Sequence, residues 1–264
     1  MVFQSPGSVA FHFGTITVYW YGIMLAVAFL IGVAFTSIIA KKQGENPDNV
    51  MNLAIFLLFG AILGARFYYV IFNWDFYRMH LEEILMTWHG GLSIHGAIIG
   101  GFISGAVYTR INNLPLLKYA DLVSYGLILG QAIGRWGNFF NAEAFGLPTN
   151  LPWKLYISQE NRPEKYIDYQ YFHPAFLYES LWNILVFCIL YFILRKKFEG
   201  NNGVIFFSYL ILYSIGRIFI ESIRIDSIFM IYGVSIAQIA SFIFILTGIS
   251  GLYFVNKILK SARQ

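Results

Sequence analysis

Apolar residues do not alternate along this chain. They run in seven long blocks, at roughly 18–40, 51–72, 94–110, 119–139, 175–194, 203–221 and 234–256, separated by polar segments. About 20 mostly apolar residues are needed to cross the hydrocarbon core of a bilayer. The pattern therefore predicts an all-α, polytopic helical membrane protein with seven transmembrane helices, forming a single integral membrane domain over 1–264. The third block is short and glycine-rich (Gly96, Gly100, Gly101, Gly105), which suits close helix packing rather than contact with lipid. The one sizeable polar insert, 140–174, holds Pro148, Pro152, Trp153, Pro163 and mixed charges, and suits a small extracytoplasmic cap. No inverted repeat is recognisable, which disfavours a secondary transporter.

Composition narrows the class. The 264 residues are 58% hydrophobic and 12% charged, about half the charge of an ordinary soluble domain, so two soluble domains are excluded although the length allows them. The single cysteine, Cys188, lies in "LVFCILYFIL"; an apolar setting disfavours its thiolate, so it reads as filler and any cysteine chemistry must arrive with a substrate. No Lys or Arg precedes the first apolar block, which argues against a cleavable signal peptide and for a retained first span.

Charge placement gives orientation. Lys41, Lys42, Arg110, Lys118, Arg195, Lys196, Lys197, Lys257, Lys260 and Arg263 fall on one side of the seven-span pattern, ten of the eighteen Lys and Arg. The positive-inside rule makes that side cytoplasmic, with the N-terminus outside and the C-terminus inside. The net charge of +4 is thereby assigned to membrane-flanking loops, and nucleic acid is not an expected partner.

Arg78, Lys154, Arg162 and Lys165 fall on the opposite side, in loops that also carry acids, and four arginines are left over. Arg66, Arg135 and Arg217 lie inside spans two, four and six, and Arg224 just beyond the end of span six. At 1.5 Å per residue, the first three sit about 21–24 Å above the inner edge of a roughly 30 Å core, at one level in its outer half. Arginine at a helix centre costs at least about 2.5–3.5 kcal/mol on insertion scales. One explanation is snorkelling to the outer headgroups with pairing to Glu143 and Glu221. The other is an inward-facing cluster that binds an anion, since a guanidinium fork fits phosphate bidentately, and an outer-leaflet phospholipid supplies phosphate at that depth.

Further polar groups fall at the same level. In "HGGLSIHGAIIGG", 89–101, Gly90 and Gly91 permit a tight turn, Ser93 is a candidate N-cap, and His95 occupies the first turn of span three. A helix N-terminus and nearby arginines disfavour imidazolium, so His95 is expected to be neutral and able to accept a proton. Tyr213, Arg217, Glu221 and Arg224 share one face of span six, a stripe that must face protein or water rather than lipid; a purely structural ion-pair ladder is the alternative. Tyr21, in "VYWYG", belongs to an aromatic belt unless it turns inward. Histidine spacing matches no metal site, and neither a metal nor a cofactor is expected.

These motifs resemble the prolipoprotein diacylglyceryl transferase family. Gly134-Arg135-x-Gly137-Asn138-Phe139-x-Asn141-x-Glu143-x-x-Gly146 is similar to its long signature, Gly90–Gly96 to its histidine motif, Tyr213–Arg224 to its Tyr-x-x-x-Arg-x-x-x-Glu-x-x-Arg helix, and Trp20-Tyr21-Gly22 to its first-span motif. One departure is "HPAFLYE", 173–179, where Phe176 replaces the family's glutamine while Tyr178 and Glu179 remain.

The resemblance implies a multi-pass enzyme of the bacterial cytoplasmic membrane with its active site toward the outer leaflet. The implied reaction moves the diacylglyceryl group of phosphatidylglycerol onto the lipobox cysteine of a lipoprotein precursor. His95 is expected as the thiol's base, with Arg135 and Arg217 stabilising the leaving phosphate. Tyr21, Arg66, Asn138, Glu143, Gly146, Tyr213, Glu221 and Arg224 are expected to bind or orient the lipid. Activation of the thiol by arginine alone is the variant mechanism, and a phospholipid or organic-anion transporter is the competing function.

Overall fold

The computed structural model describes residues 2–198, 200–226, 230, 231 and 233–261. Arg263, counted above among the basic residues after span seven, lies outside the described residues, as does the side chain of Lys260. The chain is mostly helical. Its long helices are α1 (Trp20–Lys42), α2 (Pro47–Phe72), α3 (Ile94–Ile111), α4 (Leu116–Phe140), α5 (Ala175–Cys188), α6 (Val204–Glu221) and α7 (Ile236–Ser261). Helix α5 runs on through a π-helical stretch, Ile189–Leu194, to a last turn at Arg195–Lys197. All seven apolar blocks are thus helical. Five are long and apolar enough to cross a membrane: α1, α2, Ala175–Lys197, α6 and α7. Polar residues set the other two apart: His95 and Arg110 with four glycines in α3, and Lys118, Asp121 and Arg135 in α4.

The chain divides into two compact units, 36–119 and a second formed by 1–35 with 120–264. In the first, α2 starts where Asn46 accepts the Asp48 backbone N–H at 2.9 Å and Pro47 takes the first helical position. It packs on α3 glycine to glycine: a Cβ on Gly64 would lie 2.4 Å from Gly96 O, and one on Gly100 2.2 Å from Gly60 O. This is the small-xxx-small contact of membrane helices, in which backbones approach where side chains are missing. Gly100→Val is expected to force these helices apart, because the obstacle is backbone, at an overpacking cost of about 1–3 kcal/mol. The thermal midpoint in detergent should fall. Gly101→Ala, whose nearest neighbour is Ala61 Cβ at 3.9 Å, should leave it unchanged.

In the second unit, α1 and α4 approach through Gly32 against Gly126 O and Gly130 against Ala28 O, and α7 lays Gly248 and Gly251 on Phe207 of α6. Short strands qualify the all-α expectation: β1 (Phe3–Gln4), β2 (Val9–Phe13), β3 (Ile16–Tyr19), β4 (Leu155–Tyr156), β5 (Tyr171–Phe172), β6 (Met230–Ile231) and β7 (Val234–Ser235). Strand β1 pairs in parallel with β4, which pairs antiparallel with β5. Most of these strands are two residues long, too short for any alternation to announce them.

The small sheet covers an apolar cluster of Phe145, Leu155, Ile157, Phe172 and Phe176, joined by Phe3 and Phe139. Phe176 packs its ring 4.9 Å from Phe139 and 5.4 Å from Trp136. The position that departs from the family pattern is therefore a buried part of this aromatic core, and it makes no polar contact.

Candidate functional site

Three arginines of the second unit converge on one carboxylate. Glu179, in the second turn of α5, is only 4% exposed and meets three guanidiniums. Arg135 Nε of α4 is 2.6 Å from Glu179 Oε2, and Arg217 Nη1 of α6 is 2.8 Å from Oε1. Arg224 Nη1 is 3.0 Å from the same Oε1. Packing sets this geometry. Ser180 Oγ donates to Ala132 O of α4 at 2.9 Å, and Trp182 Nε1 donates to Leu212 O of α6 at 2.9 Å while its indole covers Gly216. Helix α5 is thereby held between the two arginine-bearing helices, with Glu179 beside both.

The ladder continues outward from Glu179. Arg217 Nη2 is 2.6 Å from Glu221 Oε2, one turn along α6, and Arg224 forks onto Asp226 with Nε to Oδ1 at 2.9 Å and Nη2 to Oδ2 at 2.5 Å. Three guanidiniums against Glu179, Glu221 and Asp226 make a charge-balanced set, which accounts for its tolerance in a low-dielectric setting. The arginines are not equally engaged. Side-chain exposure falls from 22% at Arg135 to 16% at Arg217 and 11% at Arg224. Arg135 gives only Nε to a carboxylate; its Nη1 lies 3.5 Å from Asn138 Oδ1, and its Nη2 has no hydrogen-bond partner among the described residues. A guanidinium edge with spare donors is what a phosphate oxygen requires.

Glu143 corrects one expectation. Among the described residues it pairs with no arginine, and instead accepts from Asn138 Nδ2 at 2.8 Å, so its link to Arg135 runs through Asn138. Its segment is bent sharply, with Ala142 and Ala144 both left-handed at φ 52° and 55°. Each such non-glycine residue costs on the order of 1–3 kcal/mol and persists only where surroundings impose it. Here the imposition is a stitch of backbone bonds. Gly146 N donates to His173 O at 2.9 Å, His173 N to Leu147 O at 3.0 Å, and Leu147 N to Ile223 O at 2.8 Å. The signature turn is sewn between the start of α5 and the end of α6.

Gly146 serves that stitch. A Cβ there would lie 2.8 Å from His173 Cβ and 2.9 Å from Ile223 O. Gly146→Ala is expected to pry the turn from both strands of the stitch, lowering the detergent melting midpoint by the equivalent of about 1–3 kcal/mol and lowering activity with it. Nearby, burial holds the His173 imidazole below its ordinary pKa. Tyr178 Oη accepts from Trp153 Nε1 at 2.9 Å and lies 3.1 Å from His173 Nδ1, to which it can donate.

Tyr21 turns inward. Its ring lies over Gly137, where a Cβ would come within 2.8 Å of Tyr21 Cδ2, and neighbouring Trp20 stacks on Phe140 at 4.8 Å. Tyr213 stacks on Tyr209 at 5.8 Å, one turn before Arg217.

Arg66 and His95 belong to the first unit. Depth suggested Arg66 as a substrate ligand, but its five donors are otherwise used. Nε donates to Ile84 O at 2.8 Å, Nη1 to Gly90 O at 2.8 Å and Gly91 O at 2.9 Å, and Nη2 to Glu83 O and, at 3.5 Å, to Met86 O. A buried guanidinium saturated by carbonyls fixes the loop before α3 and has no fork left for phosphate. His95 is exposed on the first turn of α3, its ring 6.0 Å from that of Tyr68. Ser93 takes the N-cap position in extended conformation without a side-chain capping bond, and Gly90 and Gly91 adopt positive φ as the turn demands.

Sequence reasoning passed over Glu179 as a site residue. Its signal was present, a carboxylate one residue after Tyr178 in an otherwise apolar helix start, but that three arginines share it is a tertiary fact.

Known proteins resemble this chain along nearly all of its length. The family model for prolipoprotein diacylglyceryl transferase matches residues 8–254. A phosphatidylglycerol–prolipoprotein diacylglyceryl transferase of a Nostoc species is 48% identical over 95% of this chain and 90% of its own. Proteins of the same name are 44% identical in Acaryochloris marina, over 100% of this chain and 97% of theirs, and 47% identical in Thermosynechococcus vestitus, over 95% and 93%. With the arginine ladder in place and likeness extending through every helix that builds it, the chain belongs to the prolipoprotein diacylglyceryl transferase family.

Proposed function

We propose that this protein transfers the diacylglyceryl group of phosphatidylglycerol to the lipobox cysteine of a lipoprotein precursor. The cysteine sulfur forms a bond to the glyceryl carbon, the carbon–oxygen bond to phosphate breaks, and glycerol phosphate leaves with the electron pair. The thiol proton passes to a base. Family membership favours this over the transporter reading, and the observation that carries it to particular residues is the spare donors on the Arg135 guanidinium edge beside the Glu179 ladder.

In this reading Arg135 and Arg217 hold the phosphate and stabilise its charge as it develops. Asn138, with Glu143 behind it, aims Arg135; Gly146 keeps the turn in place; Tyr21 and Tyr213 shape the pocket; Glu221 and Arg224 brace the ladder. His95 acts as base, and arginine activation of the thiol is the variant in which it does not. Arg66 acts only through the loop it fixes. The chain crosses the bacterial cytoplasmic membrane seven times as one membrane domain, N-terminus outside, with 140–174 as an extracytoplasmic cap and chemistry at the outer leaflet. The concentration of basic residues at the C-terminal ends of α1, α3 and α7 and after α5 supports that orientation.

The test is a reconstituted reaction. Purified protein in liposomes of phosphatidylglycerol, given a lipobox peptide, should add a diacylglyceryl mass to the peptide and release glycerol phosphate. A folded protein that leaves the peptide unchanged and moves lipid intact would overturn the transferase. Within that assay His95→Gln is expected to lose activity; a fully active His95→Gln assigns the thiol to arginine activation instead.

A further inference from the structure

The N-terminal hairpin presents an apolar face that the fold does not cover. Strands β2 and β3 pair antiparallel through a two-residue Gly14–Thr15 turn, with Gly14 at φ 61° as such turns prefer. Paired residues share a face. Phe11 lies opposite Val18 and Phe13 opposite Ile16, while His12 lies opposite Thr17 on the other face, where His12 Nδ1 is 3.1 Å from Thr17 Oγ1. The hairpin is therefore sided, polar on one surface and apolar on the other. Phe11 is 54% exposed, Phe13 77% and Ile16 63%. A two-stranded ribbon is marginal by itself in water, and so large an aromatic face on it calls for a partner.

Two observations identify the partner. The ribbon has no linker to the membrane: Tyr19 ends β3, Trp20 begins α1, and Trp20 N donates to Ser8 O at 2.9 Å, tying both strands to the helix end. Helix α1 is itself long and apolar enough to cross the bilayer, so the apolar face continues one already assigned to lipid. In addition, no Asp, Glu, Lys or Arg occurs before Lys41, which leaves the hairpin without a charge to steer a charged protein partner. We propose that this hairpin lies in the membrane interface, its Phe11, Phe13 and Ile16 face seated at the boundary of headgroups and acyl chains and its His12–Thr17 face turned to water. It is an interfacial anchor at the root of α1, of the kind that amphipathic elements with aromatic apolar faces provide. The inference rests on the membrane assignment of α1 and is independent of the proposed chemistry.

The single native cysteine makes the test direct. In a Cys188→Ala background, Phe13→Cys and Thr17→Cys carry a spin label on opposite faces, with the protein in phosphatidylglycerol–phosphatidylcholine liposomes. Phe13 is exposed and Thr17 half-buried on the hairpin, and a wild-type melting midpoint in detergent for each labelled variant reports that the protein is intact. The label at 13 is expected to collide with oxygen dissolved in lipid and to be shielded about tenfold from a water-soluble nickel complex relative to the label at 17. Equal access of the nickel complex to both labels overturns the proposal. So does a label at 13 that becomes shielded only when lipobox peptide is added, since the occupant would then be the precursor. Either result leaves the transferase assay, and the reading it tests, untouched.

Discussion

Glu179→Ala is expected to be the most destabilising single change in the chain. It removes a carboxylate that is 4% exposed and leaves three guanidiniums facing one another across its place. Deleting one partner of a buried ion pair costs about 3–5 kcal/mol, because the remaining charge stays desolvated and unpaired. The residual partners decide how that cost is distributed. Arg217 retains Glu221 and Arg224 retains Asp226, whereas Arg135 loses its one carboxylate. Arg135 is then expected to become mobile, and turnover should fall further than stability alone explains. The thermal midpoint in detergent measures the first effect and diacylglyceryl transfer well below that midpoint the second. Glu179→Gln should fall between: its volume and one acceptor oxygen survive, but its amide must point a donor at a guanidinium. A Glu179→Ala protein that melts with the wild type would show that the ladder does not depend on its hub.

How much of this was legible in the sequence depends on the range of the forces involved. Membrane helices announce themselves because each satisfies its backbone internally and displays apolar residues throughout; all seven apolar blocks are helical, and among the described residues five of them are long and apolar enough to cross a membrane. The boundaries moved where polar residues continue a helix. Helix α2 begins at Pro47 rather than 51 because Asn46 caps it there, and α4 begins at Leu116 ahead of Lys118. The glycine contacts of α3 were readable as a tendency, but the match of Gly96 and Gly100 to Gly64 and Gly60 was not. Strand β1 is defined by Leu155 and Tyr156, far along the chain. The same limit governs the site. One-dimensional depth grouped Arg66 with Arg135 and Arg217, yet Arg66 is consumed by the carbonyls of Glu83, Ile84, Met86, Gly90 and Gly91. Depth along a helix says where a side chain starts, and partners decide what its donors can still do.

That distinction yields the second prediction. Arg135→Ala should lower diacylglyceryl transfer by about 10²–10³, the scale at which one preorganised donor stabilises developing charge, with only a modest drop in melting midpoint. The argument is the imbalance among the three arginines. Arg224 is the least exposed and is gripped by Asp226 and Glu179 together, so Arg224→Ala should act mainly on stability. Arg135 is the most exposed and gives Nε alone to a carboxylate, so its removal should act mainly on the reaction. Lysine should not substitute. An ammonium can replace the pairing with Glu179 but not simultaneously present a second edge to phosphate, because it lacks the planar fork. Guanidinium ion added to Arg135→Ala, but not to Arg224→Ala, should restore part of the lost rate. Equal losses in stability and turnover for both variants would instead make the three arginines a ladder and nothing more, with the phosphate held elsewhere.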